Sequence, residues 1–534
     1  MSNAMASHIG DNPQEQNSTN EKAKDTMIED MEGATLTHLQ DLANCEPLRI
    51  LWEKLRNVKQ LSSESCIFQV NERLRNTNPE AYTPLTISIG PYHHGKPELR
   101  KMERLKELYT HSLLQRAGVG VEVCWKKLKE LEGRVESYYG DEIEEEFSGD
   151  EFVKMLLLDG CFILEFVIRL YHRAFGHGQE YKDDPIYMIS GMESNIVRDM
   201  LLLENQLPFF VLQQLYDMIV RIPGKPEFSM LIKFVFRNNI PKVNISSFVN
   251  TEANPREIKH LLQLVHILCQ PQPQNNGQIQ QQKACSSSSC CFWKQPQSQG
   301  QAGSDIESQS LSNGQHRDRH WACFPCKFWE QPQQSTDVHE VELFCIHAAS
   351  ELQEAGVDFK KLGKISNTSS DETISLFDIK FNHGVLEIPS FGLFDSTETF
   401  FRNLIAYEQH SPDVRPKYFS DYSHFMDDLI NTEKDVNLLR LKDVFVNGLG
   451  DDKEVTRLFN KLSKGVMHYT DDFYYKDVCT ELNRHCKKPR NVLMAKLRHD
   501  YFNTPWAGIS TFADILLLTL TIAQTVLSAL DLHK

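Results

Sequence analysis

The spacing of apolar residues predicts a chain built mostly of helices. Leu48, Leu51, Trp52 and Leu55 recur at i, i+3, i+4 and i+7, with Glu53, Lys54 and Arg56 on the opposite face. That pattern marks an amphipathic helix within 36–70. A short β-branched run, Leu85 to Ile89, is closed by Gly90-Pro91 and reads as a strand or extended segment entering a tight turn. Pro97 opens the next helix, which carries Met102, Leu105, Leu108 and Tyr109 at helical spacing. Phe152 to Tyr171 is apolar around most of its circumference but is interrupted by Asp159, Glu165 and Arg169. It therefore reads as a central buried helix and not as a membrane span. Asp199 to Tyr216 is similarly apolar, and Pro208 must kink or restart it.

The second half repeats the helical theme with one exception. Helical patterns cover Val341–Leu352 (stopped by Gly356), Thr397–Tyr407, Tyr422–Asn431, Lys434–Asn447, Asp452–Leu462 and Tyr474–Asn483. Between them, Ile374–Ile379 and Val385–Pro389 alternate and are joined through Asn382-His383-Gly384, which predicts a small β-hairpin. The predicted class is mainly α: an irregular multi-helix domain with a small β-hairpin.

Composition changes along the chain divide it further. Residues 1–35 are polar with no apolar leader core, and read as a disordered tail. Residues 270–335 are dominated by Gln, Ser, Pro, Gly and Asn, which bury too little apolar area to offset chain entropy. Within that stretch Cys290-Cys291-Phe292-Trp293-Lys294-Gln295-Pro296-Gln297 is echoed by Cys326-Lys327-Phe328-Trp329-Glu330-Gln331-Pro332-Gln333. The folded region is thus expected in two parts, 36–269 and 336–500, split by a disordered central insertion.

The last segment, Trp506 to Leu530, carries one charge, Asp514, and eleven Leu, Ile, Val or Phe residues. As a helix it spans about 37 Å, more than the roughly 30 Å of a bilayer core. Lys487, Lys488, Arg490, Lys496 and Arg498 precede it, whereas only His533 and Lys534 follow. This asymmetry predicts a single-pass C-terminal anchor over 506–530 with a cytosolic body; a body on the other side of the membrane is the alternative orientation.

Charge and cysteine content narrow the function. Among 534 residues, 57 are basic and 73 acidic, a net −16, which argues against a nucleic-acid partner. Thirteen scattered cysteines do not form the dense, even framework of a small secreted scaffold and are expected as reduced thiols. No phosphate-binding glycine loop, G-x-S-x-G, H-E-x-x-H or kinase motif is present. Two weaker patterns carry candidate chemistry. His93 and His94 with Glu103 could do acid/base or metal work if a turn gathered them, and Glu204 is a further candidate acid. His316-x3-His320-x2-Cys323-x2-Cys326 has zinc-like spacing, but without the glycines and apolar residues of a zinc module. Asp159 and Glu165, at i and i+6, fall on different helix faces and fail as a catalytic pair. No catalytic residue and no cofactor are assigned.

Several segments resemble a plant family called domain of unknown function 247. They are Ile87-Ser88-Ile89-Gly90-Pro91-Tyr92-His93-His94-Gly95, Asp159 to Glu165 (DGCFILE), and Leu202 to Phe209 (LLENQLPF). Asn403 to Gln409 (NLIAYEQ), Phe425 to Ile430 (FMDDLI) and the closing apolar segment match it too. The resemblance spans roughly residues 45–531. It implies no established catalytic activity and one terminal transmembrane helix, and some grass members are linked to self-incompatibility on the pollen side. Asp514 departs from the uncharged tail of such proteins. The expected function is non-enzymatic: a membrane-tethered recognition or signalling module whose protein partners and oligomeric state the sequence does not name. The rival is an enzyme using His93, His94 and Glu103, or Glu204.

Overall fold

Helix formation starts from the apolar stretches, and the longest of those that are buried becomes the central one. In the computed structural model, Asp150–Ala174 is a single helix with Phe152, Leu156, Phe162, Ile163, Phe166 and Val167 buried. The structure describes residues 62–141, 143, 147, 149–176, 181–220, 226–237, 258–271, 344–362, 374–468, 472–501 and 505–531, with isolated positions between 47 and 55. The tail 1–35 and nearly all of the insertion 270–335 lie outside the described residues.

In chain order the longer elements are α1 (Arg100–Ala117), α2 (Val121–Glu136), α3 (Asp150–Ala174), α4 (Met192–Asp199), α5 (Phe209–Ile219), α6 (Phe228–Phe236) and α7 (Leu261–Cys269). Then come α8 (Ala349–Glu354), β1 (Asp358–Leu362), β2 (Lys380–Asn382), β3 (Val385–Pro389) and β4 (Phe391–Leu393). They are followed by α9 (Thr397–His410), α10 (Tyr418–Leu429), α11 (Glu433–Leu441), β5 (Phe445–Asn447), α12 (Asp452–Leu462), α13 (Lys476–Cys486), α14 (Pro489–Tyr501) and α15 (Pro505–Asp531). The protein is mainly α, as the pattern predicts.

The chain forms two units. The first comprises residues 1–269, 392–423 and 447–467. In it α1, α2, α5 and α6 all pack on α3. Phe162 meets Tyr109 of α1 at 5.1 Å and stacks on Phe166 at 5.9 Å between ring centroids. Gly160 lets α5 come close, because a Cβ there would sit 2.4 Å from Leu215 Cδ1. α9 packs against α7 and α12 in the same unit.

The second unit comprises 270–391, 424–446 and 468–534. Its three-stranded sheet has the order β1-β3-β2, with β1 parallel and β2 antiparallel to β3. β2 and β3 form a hairpin at the expected connection, with the first strand at 380–382 in place of 374–379. Its turn residues His383 and Gly384 both have positive φ, 51° and 83°, as a tight two-residue connection of this hand requires. β4 and β5, which belong to neither unit alone, form a two-stranded ribbon. α11 begins with a capping box in which Thr432 and Asp435 satisfy each other's backbone. The same Asp435 accepts from Ser350 N at 2.8 Å and so orients α8.

The structure corrects several expected boundaries. Of the predicted helix in 36–70, described positions between 47 and 55 are helical, but 62–70 is not, and Ile67 bridges Tyr139. The strand expected over 374–379 is a turn: Asp378 and Ser375 side chains accept from the Ser375 and Phe377 amides, at 2.7 and 3.3 Å, ahead of the ladder. Of the helix expected over Val341–Leu352, residues 344–348 are nonhelical and the helix runs from Ala349. Lys434–Asn447 divides into α11 and β5 at Asp443, whose φ is 57°. Pro208 restarts the chain: it is the N-cap of α5, and 200–208 is a nonhelical connection.

α15 is long and apolar enough to cross a membrane over Ile509–Ser528, and none of that stretch is buried. Phe162→Ala, which empties the centre of the α1–α3 contact, should destabilise the first unit by about 3–5 kcal/mol. Calorimetry of the two proteins checks it, as a drop in the first unit's melting temperature.

Candidate functional site

Residues 87–90 pass through the interior of the first unit outside any helix and, among the described residues, with no strand to pair with, so side chains must meet the N–H groups of this stretch. Asp199, at the end of α4, accepts from the amides of Leu85, Thr86 and Ile87 at 3.0, 2.7 and 3.0 Å. Asn205 accepts from Ile89 N at 2.7 Å and donates to the carbonyls of Ile87 and Asp199, each at 3.0 Å. Asp159, on α3, accepts from Gly90 N at 2.9 Å. Gln206 donates to the Met200 and Leu202 carbonyls and accepts from Leu262 N, tying α7 to the 200–208 connection.

The chain turns at Gly90, where φ is 75°. A Cβ on Gly90 would lie 2.6 Å from the carbonyl oxygen of Gln206 and 3.2 Å from Tyr139 Oη. Only glycine fits both the left-handed conformation and that approach.

The buried charges around this segment are paired. Lys106 of α1, fully buried, holds Asp159 at 2.6 Å and Glu103 at 2.7 Å, and donates to Ser88 Oγ at 3.1 Å. Burial pushes the Asp159 carboxyl above its ordinary range, opposed by Lys106 and the Gly90 amide. Burial also raises Asp199 against its three backbone donors and Arg198. Glu204 behaves differently. It accepts from Val70 N at 2.5 Å, pairs with Arg75, and has His93 Nε2 at 3.0 Å from Oε2. Burial drives its pKa up, but the donors from His93, Arg75 and Val70 outweigh that and leave it below the ordinary value.

The sequence candidates therefore separate. His93 and Glu204 do meet, with Lys96 Nζ 2.7 Å from the other ring nitrogen of His93. His94 turns onto Phe147, with ring centroids 4.6 Å apart. His94 and Glu103 line one cleft of about 230 Å3 with Ser88, Lys96 and Arg100, but Glu103 is already engaged by Lys106 and Ser88. Asp159 and Glu165, rejected as a pair, find separate cations: Lys106 of α1 for Asp159, and Arg116 of α1 with Arg169 one turn along α3 for Glu165. Arg169 goes on to Asp184 at 2.6 Å, and Asp184 caps the turn Pro185–Met188. His316, His320, Cys323 and Cys326 lie outside the described residues.

Sequence reasoning missed the partners that lie far along the chain. Asn403 of α9 accepts from Leu203 N at 2.9 Å and donates to the Ala81 carbonyl at 2.8 Å. Glu408, fully buried, faces His266 of α7 at 2.8 Å and accepts from the amides of Phe419 and Ser420 at 2.9 and 2.8 Å. The available signal was the polar residue inside an apolar helical run, which implies a partner without naming it. As an arrangement, the site is a set of buried acids and amides engaged with backbone amides and fixed cations.

A model of a plant protein family of unknown function, DUF247, matches residues 67–520, which takes in every one of these segments. The chain belongs to this family. The chain is also similar to two Arabidopsis thaliana proteins. UPF0481 protein At3g47200 is 30% identical over 470 residues, covering 87% of this chain and 86% of its own. Putative UPF0481 protein At3g02645 is 24% identical over 504 residues, covering 86% and 89%. No solved structure matches this DUF247 chain.

Two substitutions test the structural role of these residues. Gly90→Ala should destabilise the first unit by about 2–4 kcal/mol, from left-handed strain plus the clash with the Gln206 carbonyl; urea unfolding measures it. Glu204 titrates in the native state below its ordinary 4.5. Its stabilisation is therefore present above about pH 4.5 and is lost as pH falls through the lower native value. Glu204→Gln should lose about 2 kcal/mol at pH 7 and show a shallower decline on the acid side. Melting temperatures of both proteins between pH 3 and 7 would show equal slopes if Glu204 were unpaired.

Proposed function

We propose that this DUF247 protein is a non-enzymatic recognition or signalling module, tethered to a membrane by α15 and acting through protein partners. The observation that carries the reading is the exposure of α15. Ile509, Phe512, Leu517, Leu518 and Leu527 are each more than 60% exposed, on a helix with Asp514 as its one charge between 509 and 528. Exposed apolar area of that extent needs a nonaqueous neighbour, and a bilayer matches its length. The cluster of Lys487, Lys488, Arg490, Lys496 and Arg498 ahead of it favours a cytosolic body. The non-enzymatic half of the proposal is supported by the engaged state of the motif acids. A general acid or base needs a proton-exchanging position facing substrate, whereas Asp159, Asp199 and Glu204 face backbone amides and cations.

Three N-x-S/T sequons, at Asn17, Asn244 and Asn367, precede α15 and report which side of the membrane the body occupies. The full chain should stay in alkali-washed membranes and show no glycosidase mobility shift. Loss on washing would remove the anchor. A shift would place the body outside the cytosol. Capture at native expression should return a reproducible protein binder, and its absence would remove the recognition role.

A further inference from the structure

The second unit holds a group of metal-ligating side chains unconnected with the buried acids of the first. α10 carries His424 and Asp428 at i and i+4, so both project from one face. Cys345, on the extended residues 344–348, comes to the same place. One donor atom from each of the three residues, thiol sulfur, imidazole nitrogen and carboxylate oxygen, lies within 4.8 Å of the other two. All three side chains are half-buried, which leaves an ion a way in.

We propose that Cys345, His424 and Asp428 form a binding site for a borderline-soft divalent cation of the zinc class. Ligands of a tetrahedral zinc ion at about 2.0–2.3 Å stand roughly 3.3–3.8 Å apart, so closing the present spacing takes a movement of about 1 Å. A thiolate, an imidazole and a carboxylate in one set favour zinc over magnesium or calcium, which take oxygen donors. Three protein ligands leave the fourth position to water or to an exogenous donor.

Neighbouring groups already hold the ligands in place, as supporting shells do in metal sites. Ile346 N donates to Asp428 Oδ2 at 3.0 Å, which aims the other oxygen of that carboxylate elsewhere. Asn483 Nδ2 donates to the Cys345 carbonyl at 3.0 Å and fixes that stretch of backbone. The His424 ring lies against His468, with centroids 4.4 Å apart, and against Phe473 at 5.7 Å. Asp427 faces His424, and Cys479 faces Asp428 and Cys345. Binding displaces the thiol proton of Cys345, and any proton on Asp428, to solvent. The bound ion would join the extended residues 344–348 to α10.

Cobalt(II) is a suitable probe, because a thiolate ligand gives it a near-ultraviolet charge-transfer band. Full-length protein in detergent, stripped with chelator, should develop that band with one equivalent of cobalt and lose it to zinc. Cys345→Ser should abolish the band, and His424→Gln and Asp428→Asn should each weaken binding at least about tenfold. A variant with His316, His320, Cys323 and Cys326 all replaced should keep the band, which separates this site from that motif. The proposal is overturned if cobalt and zinc fail to bind at about 0.1 mM. It is equally overturned if the band survives Cys345→Ser or disappears in the 316–326 variant. Circular dichroism without metal establishes that each variant folds; should Cys345→Ser not fold, unchanged cobalt affinity in His424→Gln decides against the site.

Discussion

A nonhelical segment inside a helical core has, among the described residues, no strand beside it, and its amides must be satisfied all the same. In the first unit the amides of Ile87, Ile89 and Gly90 are buried and end on Asp199, Asn205 and Asp159. Each buried amide left unmet would cost about 1–3 kcal/mol, so the three together represent about 3–9 kcal/mol. Net folding stability is of the same order, about 5–15 kcal/mol. The helices around this segment are placed by what it needs. α3 supplies Asp159, α4 supplies Asp199, and the connection before α5 supplies Asn205. The acids then need cations, which explains a lysine, Lys106, with no exposed surface at all.

Much of the fold follows from periodicity. The central helix around Phe162, the restart at Pro208, the hairpin at His383-Gly384 and the terminal apolar helix are all visible in the order of apolar and polar residues. Those features are local, decided by spacing within a turn or two. The misplaced elements failed for a different local reason. Over 374–379 the alternation is present, but Ser375 and Asp378 offer the backbone a nearer partner than another strand does. Alternation describes which faces are apolar and is silent on where the amides go.

The polar interior was legible only in part, because its partners are separated by long stretches of chain. The sequence marks Asp159, Glu165 and Glu204 as polar residues in apolar company. It does not say that Lys106 lies 53 positions before Asp159, or that Asn403 reaches back 200 positions to Leu203. The expected trio of His93, His94 and Glu103 came apart. The two histidine side chains leave the turn at 91–95 in different directions, one imidazole going to Glu204 and the next to Phe147. The pair His424 and Asp428 was open to the opposite inference. Its i, i+4 spacing on a helix is readable, but its third member, Cys345, comes from 79 residues upstream of His424.

A segment shared with a family is easily taken for a reactive one when it is rich in acids and histidines. The geometry gives a different account of why Asp159, Asp199 and Glu204 are acids. A carboxylate has acceptor capacity for several donors at once, and Asp199 uses it on three successive amides. Asparagine in its place would keep one acceptor oxygen and add two donors with nothing to donate to, leaving amides and carbonyls in conflict. At Asn205 the demand is mixed, since one amide must be accepted and two carbonyls served, and there the residue is an amide. The choice between acid and amide at these two neighbouring positions follows the donors and acceptors of the backbone they hold, without any appeal to a reaction.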